Sequence, residues 1–446
     1  MKKIALLSLA ATTVIMASGW KIPEQSVNAT ALAGADVANV HGADAAYSNP
    51  ANMAFMEQGS YVEGDLTYIH LTSIDYSGNI AALAPDIGNT GVPNPTRVDA
   101  SASSKKENFV LPMLHYVGKA YGDYRFGMSV TVPAGLSKRW EEGGASTLIA
   151  KEFSLQVIEF NPVVSYKSTD SLAFAAGLRF VHSKGVVKSS GVTVADLTSI
   201  GGSAGDVVSL NRDMKGDDLS LGYNLALSYK PVKEMTLAAT YRSKVDLYEK
   251  GDATLSSNVV QGFGLVPAGT SLGSYNGDAS VTIPLPAVLT LATAYTFNEA
   301  TTVELVYERA YWSAYSSLDF EYPGGTTGSP VLDSAFDDPK ARNWKDSNTY
   351  RLGLTHKFNK KWTGMAGYAY DESPSPQSTV SFELPESDAQ IFSLGARYNY
   401  DDALSIGIAG LYDKKDSLTV SQPTRLNGTF SNSSAYLLTI GVGYKY

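Results

Sequence analysis

The chain has 446 residues, no cysteine, 27 tyrosines, 40 glycines and a net charge of −9, with only 18 % of its residues charged. The missing thiols exclude a disulfide framework and thiolate metal sites, and the acidic balance argues against nucleic acid, whose phosphates need a basic face. A mean hydropathy near zero argues against a bundle of membrane helices.

Met1-Lys2-Lys3 is a basic start, and Ile4–Ala17 is a mostly apolar stretch the length of a signal core, too short to span a bilayer as a helix. Cleavage after Ala17 is predicted, making 1–17 an export signal. No later segment offers about 18 uninterrupted apolar residues, so an exported chain of this kind spans a membrane only as a closed barrel. Residues 18–58 differ from everything after them. They are rich in Ala, Asn, Gly and Asp, and Ala29–Val40 has the makings of a short helix. Ser48-Asn49-Pro50-Ala51-Asn52 reads as a turn, because Asn favours Asx turns and Pro removes a backbone donor. The segment is either a surface arm or a compact plug inside the remainder of the chain.

Residues 59–446 alternate in period two, which places successive side chains on opposite faces of a strand. Fourteen strands are predicted, at 60–74, 107–120, 125–136, 153–167, 172–188, 217–230, 235–250, 280–297, 302–318, 348–358, 362–372, 389–400, 404–415 and 435–446. The connections alternate in length. Short ones, such as Tyr121–Tyr124 and Pro231–Glu234, fall at one end, and long ones, such as 189–216 and 251–279, at the other. That is the layout of an outer-membrane barrel. The last strand shows the sorting. Tyr436, Leu438, Ile440, Val442, Tyr444 and Tyr446 form one row, with rings at both ends, and Leu437, Thr439, Gly441, Gly443 and Lys445 form the other. Phe126, Met128, Val130 and Val132, then Phe174, Leu178 and Phe180, are further lipid-facing rows, whereas Arg242, Glu304, Glu308, Arg351, Asp371 and Arg397 fall in inward rows. A basic residue facing mid-membrane lipid costs roughly 2–4 kcal/mol, so this sorting is informative. Fourteen strands enclose a lumen too wide for wall side chains to fill, and 18–58 is the candidate plug. The predicted fold is an all-β, 14-stranded antiparallel transmembrane barrel with a partly helical N-terminal hatch.

With a plug ahead of such a barrel, the chain resembles the FadL family of outer-membrane transporters for hydrophobic compounds. The likeness covers nearly the whole mature chain. It rests on Gly19-Trp20 with Glu24 and Ser26, Asn49-Pro50-Ala51, Thr131-Val132-Pro133-Ala134-Gly135-Leu136 with Trp140, Tyr241-Arg242-Ser243, and Pro286-Ala287 with Tyr311-Trp312-Ser313. The most specific run is Trp344-Lys345-Asp346, Tyr350-Arg351-Leu352-Gly353, Trp362-Thr363 and Tyr370-Asp371-Glu372-Ser373-Pro374, in that order. The resemblance implies passive uptake across the outer membrane of a Gram-negative bacterium. A hydrophobic molecule is caught between extracellular loops and passes to a deeper pocket where charged residues hold an acid head group. Hatch movement then lets it leave sideways at a kinked third strand. Long-chain fatty acids are the expected substrate, with monoaromatic hydrocarbons as the alternative; outer-membrane lipid is the surroundings, a monomer the expected state, and no cofactor or metal is expected.

Carried onto this sequence, the carboxylate pocket would comprise Lys345, Asp371, Arg351 and Lys184. Lys184 stands where the family has Arg and lacks the planar fork of that residue. Strict alternation also turns it outward with Leu178 and Phe180 unless a bulge intervenes. An ordinary salt-bridge network in a polar lumen is the rival reading of all these charges. Trp20, Asn49, Pro50 and Ala51 would form the hatch gate, and Pro133 and Gly135 the third-strand kink, or simply the end of that strand. Leu197, Ile200, Val259, Phe263 and Leu265 would line the loop groove, or pack the two loops together. Gly201-Gly202-Ser203-Ala204-Gly205 fits a hydrolase nucleophile motif but lies in a loop, without the strand-to-helix setting that motif requires. The five histidines show no metal spacing. An enzyme is therefore not expected. A general porin needs an open lumen, against which the plug argues.

Overall fold

The computed structural model describes residues 19–81, 97–141, 145–325, 328–422 and 426–446. The predicted signal segment 1–17 and its cleavage point lie outside these. Fourteen antiparallel wall strands form the barrel: β1 (Tyr61–Leu71), β2 (Glu107–Val117), β3 (Tyr124–Arg139), β4 (Glu152–Lys167), β5 (Leu172–Ala195), β6 (Asp206–Val232) and β7 (Met235–Arg242, resuming as Val245–Gln261). They continue as β8 (Ser271–Leu285, resuming as Val288–Phe297), β9 (Thr301–Ala310), β10 (Ser347–Lys357), β11 (Trp362–Asp371), β12 (Ala389–Asn399), β13 (Leu404–Lys415) and β14 (Ser434–Lys445). Each pairs with its neighbour in sequence, and β1 closes on β14 from Tyr61↔Lys445 to Leu71↔Ala435. Closure removes the edges that hydrocarbon could not hydrogen-bond. No described helix is long and apolar enough to cross a membrane.

The two faces sort as the period-two reading predicts. Phe126, Leu178, Leu305, Leu394 and the whole Tyr436–Tyr446 row are exposed, while Glu304, Glu308, Arg351 and Asp371 are buried inside. Outward rings gather near the short turns, where Tyr124 meets Tyr166 at 5.0 Å and Trp362 meets Tyr398 at 4.8 Å. A second set lies toward the long loops, where Tyr412 stacks on Tyr436 at 4.9 Å. These are the two aromatic girdles of a membrane barrel. Val132 departs from its predicted outward row and is only 3 % exposed. A register irregularity between Thr131 and Ala134 turns the strand there.

Several boundaries differ from the sequence expectation. The stretches 189–216 and 251–279, expected as loops, are mostly strand, because β5–β6 and β7–β8 run on as long hairpins turning only at 196–205 and 262–270. The period-two residues Val192, Val194, Val208 and Leu210 carry the ladder upward. Strand β9 stops at Ala310 rather than 318, since Trp312 turns inward into a buried aromatic cluster. The first and last long loops are not irregular either: Asp75–Ala81, Arg97–Ser103, Leu418–Ser421 and Leu426–Ser431 form a four-stranded sheet at that end.

Residues 19–56 lie inside the barrel and are largely buried. They form two short helices, α1 (Val27–Ala31) and α2 (Ala45–Ser48), then a 3-10 turn at Pro50–Phe55. Ser26 caps α1, its Oγ accepting from the Ala29 amide at 3.0 Å. The hatch rests on inward-facing glycines. A Cβ at Gly367 would run into the Leu32–Ala33 peptide, and one at Gly441 into Asp65 and Val27. Arg125 of β3 grips the far end of the hatch with all its donors. It bonds the carbonyls of Met53 (2.9 Å), Met56 (2.9 Å), Glu57 (2.7 Å) and Gly59 (2.9 Å), and also Gly118 (2.7 Å).

Two outcomes test this packing. Arg125→Met strands several buried carbonyls and should lower stability by about 2–4 kcal/mol, read as an earlier heat-induced shift of the folded band; an unshifted transition would show that the clamp does not hold the hatch. Deleting residues 18–56 should raise single-channel conductance in planar bilayers, and unchanged conductance would mean the segment does not fill the lumen.

Candidate functional site

The hatch is fastened to the wall by hydrogen bonds to its own backbone. Glu304 of β9 accepts the amides of Val37 (2.8 Å), Ala38 (2.7 Å) and Asn39 (3.0 Å). Asn49 donates to the Val37 carbonyl (2.8 Å) and to Ser228 Oγ of β6 (2.9 Å), and its Oδ1 accepts the Ala51 amide (3.1 Å). Pro50 opens the adjoining 3-10 turn, and Ala51 is fully buried. The Asn49-Pro50-Ala51 turn therefore acts as a wall anchor. Ser228, which also donates to Asn52 Oδ1 at 2.6 Å, is its partner and was not singled out by sequence.

At the kink, β2 pairs with β3 over four positions only, Leu114↔Val130 to Val117↔Gly127. Above them Glu107–Met113 and Thr131–Arg139 face each other without ladder pairs until the Ser104↔Trp140 bridge. Pro133 lacks a donor, and its carbonyl accepts the Ile22 amide at 2.9 Å. The Gly135 amide donates to the Trp20 carbonyl at 2.8 Å, so Lys21 and Ala134 face each other across a short antiparallel bridge. Gln25 completes the seal: its Oε1 accepts the Val132 amide and its Nε2 donates to the Val132 carbonyl, each at 2.8 Å. The amino end of the hatch thus supplies the backbone partners that β2 withholds. Trp20 is held from the other side by Trp312, Tyr315 and Trp344, at ring distances of 4.5, 5.1 and 5.0 Å.

Of the four residues expected to hold a carboxylate, the structure brings two together. Arg351 and Asp371 are both buried in the lumen. Arg351 pairs with Glu308 at 3.4 Å, and Asp371 accepts from Thr349 Oγ1 at 2.6 Å. Glu308 also pairs with Lys21 of the hatch. Lys345 is exposed, its amide tied to the Pro374 carbonyl at 2.9 Å. Lys184 is exposed too, and the register of β5 with β6 runs unbroken past it, so no bulge turns it inward. The lumen holds other cations instead, among them Lys415, bonded to Glu386 at 3.0 Å. Burial pushes the Glu386 carboxyl, on the loop after β11, up to about 8 against the opposing pull of Lys415.

Above the hatch lies a large apolar cluster that includes Leu136, Trp140, Phe153, Leu155, Met214, Ile283 and Phe320. The loop residues divide. Leu197 and Val259 are buried in a small cluster joining the two hairpin tips, as packing alone would have it. Ile200, Phe263 and Leu265 are exposed, Leu265 at 90 %. Ser203 is bound into the 196–205 turn, its amide donating to Asp206 Oδ2 at 2.8 Å. A cavity of about 110 Å³ lies between the hatch and strands β5–β9, and Pro133 and Ala134 of the kink form part of its lining.

The chain matches the model of the outer membrane protein transport family (OMPP1/FadL/TodX) over residues 8–446. A long-chain fatty acid transport protein of Escherichia coli O6:H1 is 26 % identical over 392 residues, covering 83 % of this chain and 84 % of that protein. Outer membrane protein P1 of Haemophilus influenzae is 23 % identical, with 91 % and 89 % covered. Among solved structures, a Pseudomonas aeruginosa FadL homologue superposes with a TM-score of 0.76 at 20 % identity, covering 96 % of this chain and 99 % of that one. The P. putida toluene transporter TodX gives 0.68 at 21 % identity, with 94 % and 98 % covered. These structural likenesses carry the fold; the match to the family model along nearly the whole sequence carries membership. A closed fourteen-stranded barrel, a hatch latched to a broken third strand and that match together place this chain in the FadL/TodX family of outer-membrane transporters of hydrophobic compounds.

Proposed function

We propose that this chain carries long-chain fatty acids passively across the outer membrane and releases them sideways through the wall at β3. The observation that carries this reading is the seal itself. The side of β3 facing β2 is closed by Trp20–Ile22 and Gln25, which belong to a separable segment, rather than by the neighbouring strand. Withdrawing that segment leaves an opening flanked by Phe109, Leu111, Met113 and Val132, which share a buried apolar cluster with Ile22. An apolar chain can pass such a gap without crossing water, whereas a polar solute gains nothing there. Exposed Ile200, Phe263 and Leu265 give the first landing surface. Arg351 and Asp371 are the charged groups below the apolar chamber that a head group meets.

Monoaromatic hydrocarbons are the second reading. It draws on the rings Trp140, Phe153 and Phe320 in the upper cluster and on the exposure of Lys184 and Lys345. Catalysis has no part in either reading.

Uptake of labelled oleate and of toluene by cells carrying the protein separates the two. Oleate uptake is expected, toluene uptake with oleate rejected would favour the second reading, and binding of neither a fatty acid nor a hydrocarbon would remove transport altogether. The latch can be tested directly because the chain has no native cysteine. Lys21 and Ala134 form a non-hydrogen-bonded antiparallel pair, where Cβ atoms come close enough to bridge. The double variant Lys21→Cys/Ala134→Cys should lose at least about tenfold of its uptake when oxidised and regain it on reduction. Unimpaired uptake through the locked latch would show that substrate leaves elsewhere.

A further inference from the structure

Glu304 and Arg125 of the wall hold the hatch, and Glu308 pairs with Arg351. Glu249 of β7 does neither. It is 3 % exposed, and both of its carboxyl oxygens are buried without a hydrogen-bond partner. Ser183 and the Gly185 amide of β5 are polar groups beside it. Neither is in hydrogen-bond geometry with the carboxyl, and Ser183 Oγ is itself unpartnered. The charged groups acting most on Glu249 are Asp218 and Asp217 of β6, both acidic.

The wall does not need this carboxyl. Between Asn224↔Arg242 and Asp217↔Lys250, strands β6 and β7 lack ladder pairs. There Asp218 Oδ2 accepts the Tyr248 amide at 3.1 Å, and Ser220 Oγ donates to the Asp246 carbonyl at 2.7 Å. The exposed backbone is thus answered by β6, not by Glu249. A carboxyl that gives up water and receives no partner destabilises the fold, so its presence calls for an occupant that the fold does not supply.

Glu249 lines a cavity of about 30 Å³, room for roughly two waters at about 10–15 Å³ each. Phe153, Leu155, Val187, Met214, Val281 and Phe320 are in the same lining and belong to the large apolar cluster above the hatch. No described hatch residue lines it. Lys215 is the basic residue in the lining, and its ammonium faces Asp252 at 3.9 Å on the solvent side. The site is therefore an acceptor pair set in an apolar chamber, with space for one small polar group and none for a bulky one.

We propose that Glu249 receives the polar end of a hydrophobic molecule that carries an O–H or N–H donor, while the apolar body lies in the chamber. The ligand class is an alcohol, phenol or amine. A carboxylate brings no donor and meets a wall with three acids, and a plain hydrocarbon passes without gaining a bond. The proposal rests on the transport reading and adds to it a group that sorts cargo above the hatch.

The test uses the purified full-length chain in nanodiscs, with calorimetric binding of 4-ethylphenol and ethylbenzene and with empty nanodiscs subtracted. The two probes share a body and differ by one hydroxyl. Wild-type protein should bind 4-ethylphenol at least as tightly as ethylbenzene, although the hydroxyl is the better hydrated group. Glu249→Leu should weaken 4-ethylphenol at least about fivefold, the worth of one hydrogen bond, and leave ethylbenzene within about twofold. Glu249→Gln, which keeps a carbonyl acceptor, should lose less. The heat-induced shift of the folded band should not come earlier in Glu249→Leu, because no native bond is removed. A wild-type preference for ethylbenzene, equal losses for both probes, a Gln variant as weak as the Leu one, or an earlier heat shift would each overturn the proposal and leave Glu249 a hydrated or structural residue. Oleate uptake measured in parallel keeps the two readings apart. The expected phenol effects without oleate uptake would refute fatty acid transport alone, and oleate uptake without them would refute the Glu249 site alone.

Discussion

A peptide segment placed inside a barrel must satisfy its backbone N–H and C=O groups away from bulk water, and that requirement organises this molecule. Buried unpaired backbone groups cost about as much as lost hydrogen bonds, and two short helices leave many of them open. The wall meets the need with acidic and basic side chains at fixed register positions. Glu304 takes three successive amides of Val37–Asn39, and Arg125 takes five carbonyls at the hatch exit. Inward charges in this barrel are thus in large part the scaffolding of a plug. That explains why so many inward-row charges are paired rather than open to a ligand.

The same requirement operates in reverse at β3. Pro133 cannot donate, and the strand leaves its neighbour β2 above Leu114↔Val130. The freed backbone groups are answered by Trp20, Ile22 and Gln25. A wall completed by a segment of the plug differs in kind from one completed by a strand. The bonds at the seam are few, and breaking them exposes apolar side chains toward lipid rather than toward water. The cluster of Trp20 with Trp312, Tyr315 and Trp344 adds buried aromatic contact to the few hydrogen bonds that hold the seam. The integrity of the wall at this seam therefore depends on a short stretch of the plug.

The barrel itself was legible in the chain. Alternation with a fixed period needs only local geometry, and the solvent on each face dictates which row is apolar, so strand number, the sorting of loops and the burial of Arg351, Asp371, Glu304 and Glu308 follow from residue order. Inward-row glycines on the successive strands β10–β13, Gly353, Gly367, Gly395 and Gly407, are a further signal of the same kind, marking where the hatch approaches the wall. Alternation also placed Lys184 outside, as its position on the outer face of β5 shows.

Only tertiary packing decided the rest. Lys345 follows buried Trp344, yet its amide is drawn to the Pro374 carbonyl and its side chain stays in solvent. The extent of the hairpins beyond 188 and 250 depended on cross-strand pairing, from Ala195↔Asp206 at one tip to Val259↔Val208 between the two hairpins, which the alternation of a single strand does not reveal. Arg125, Gln25 and Ser228 read as ordinary strand or hatch residues until their partners arrive from 66 to 179 positions distant. Sequence determines which face a side chain turns to, because that is a property of a strand alone. What meets it on that face is set by how the strands close into a ring and by which segment fills the space inside.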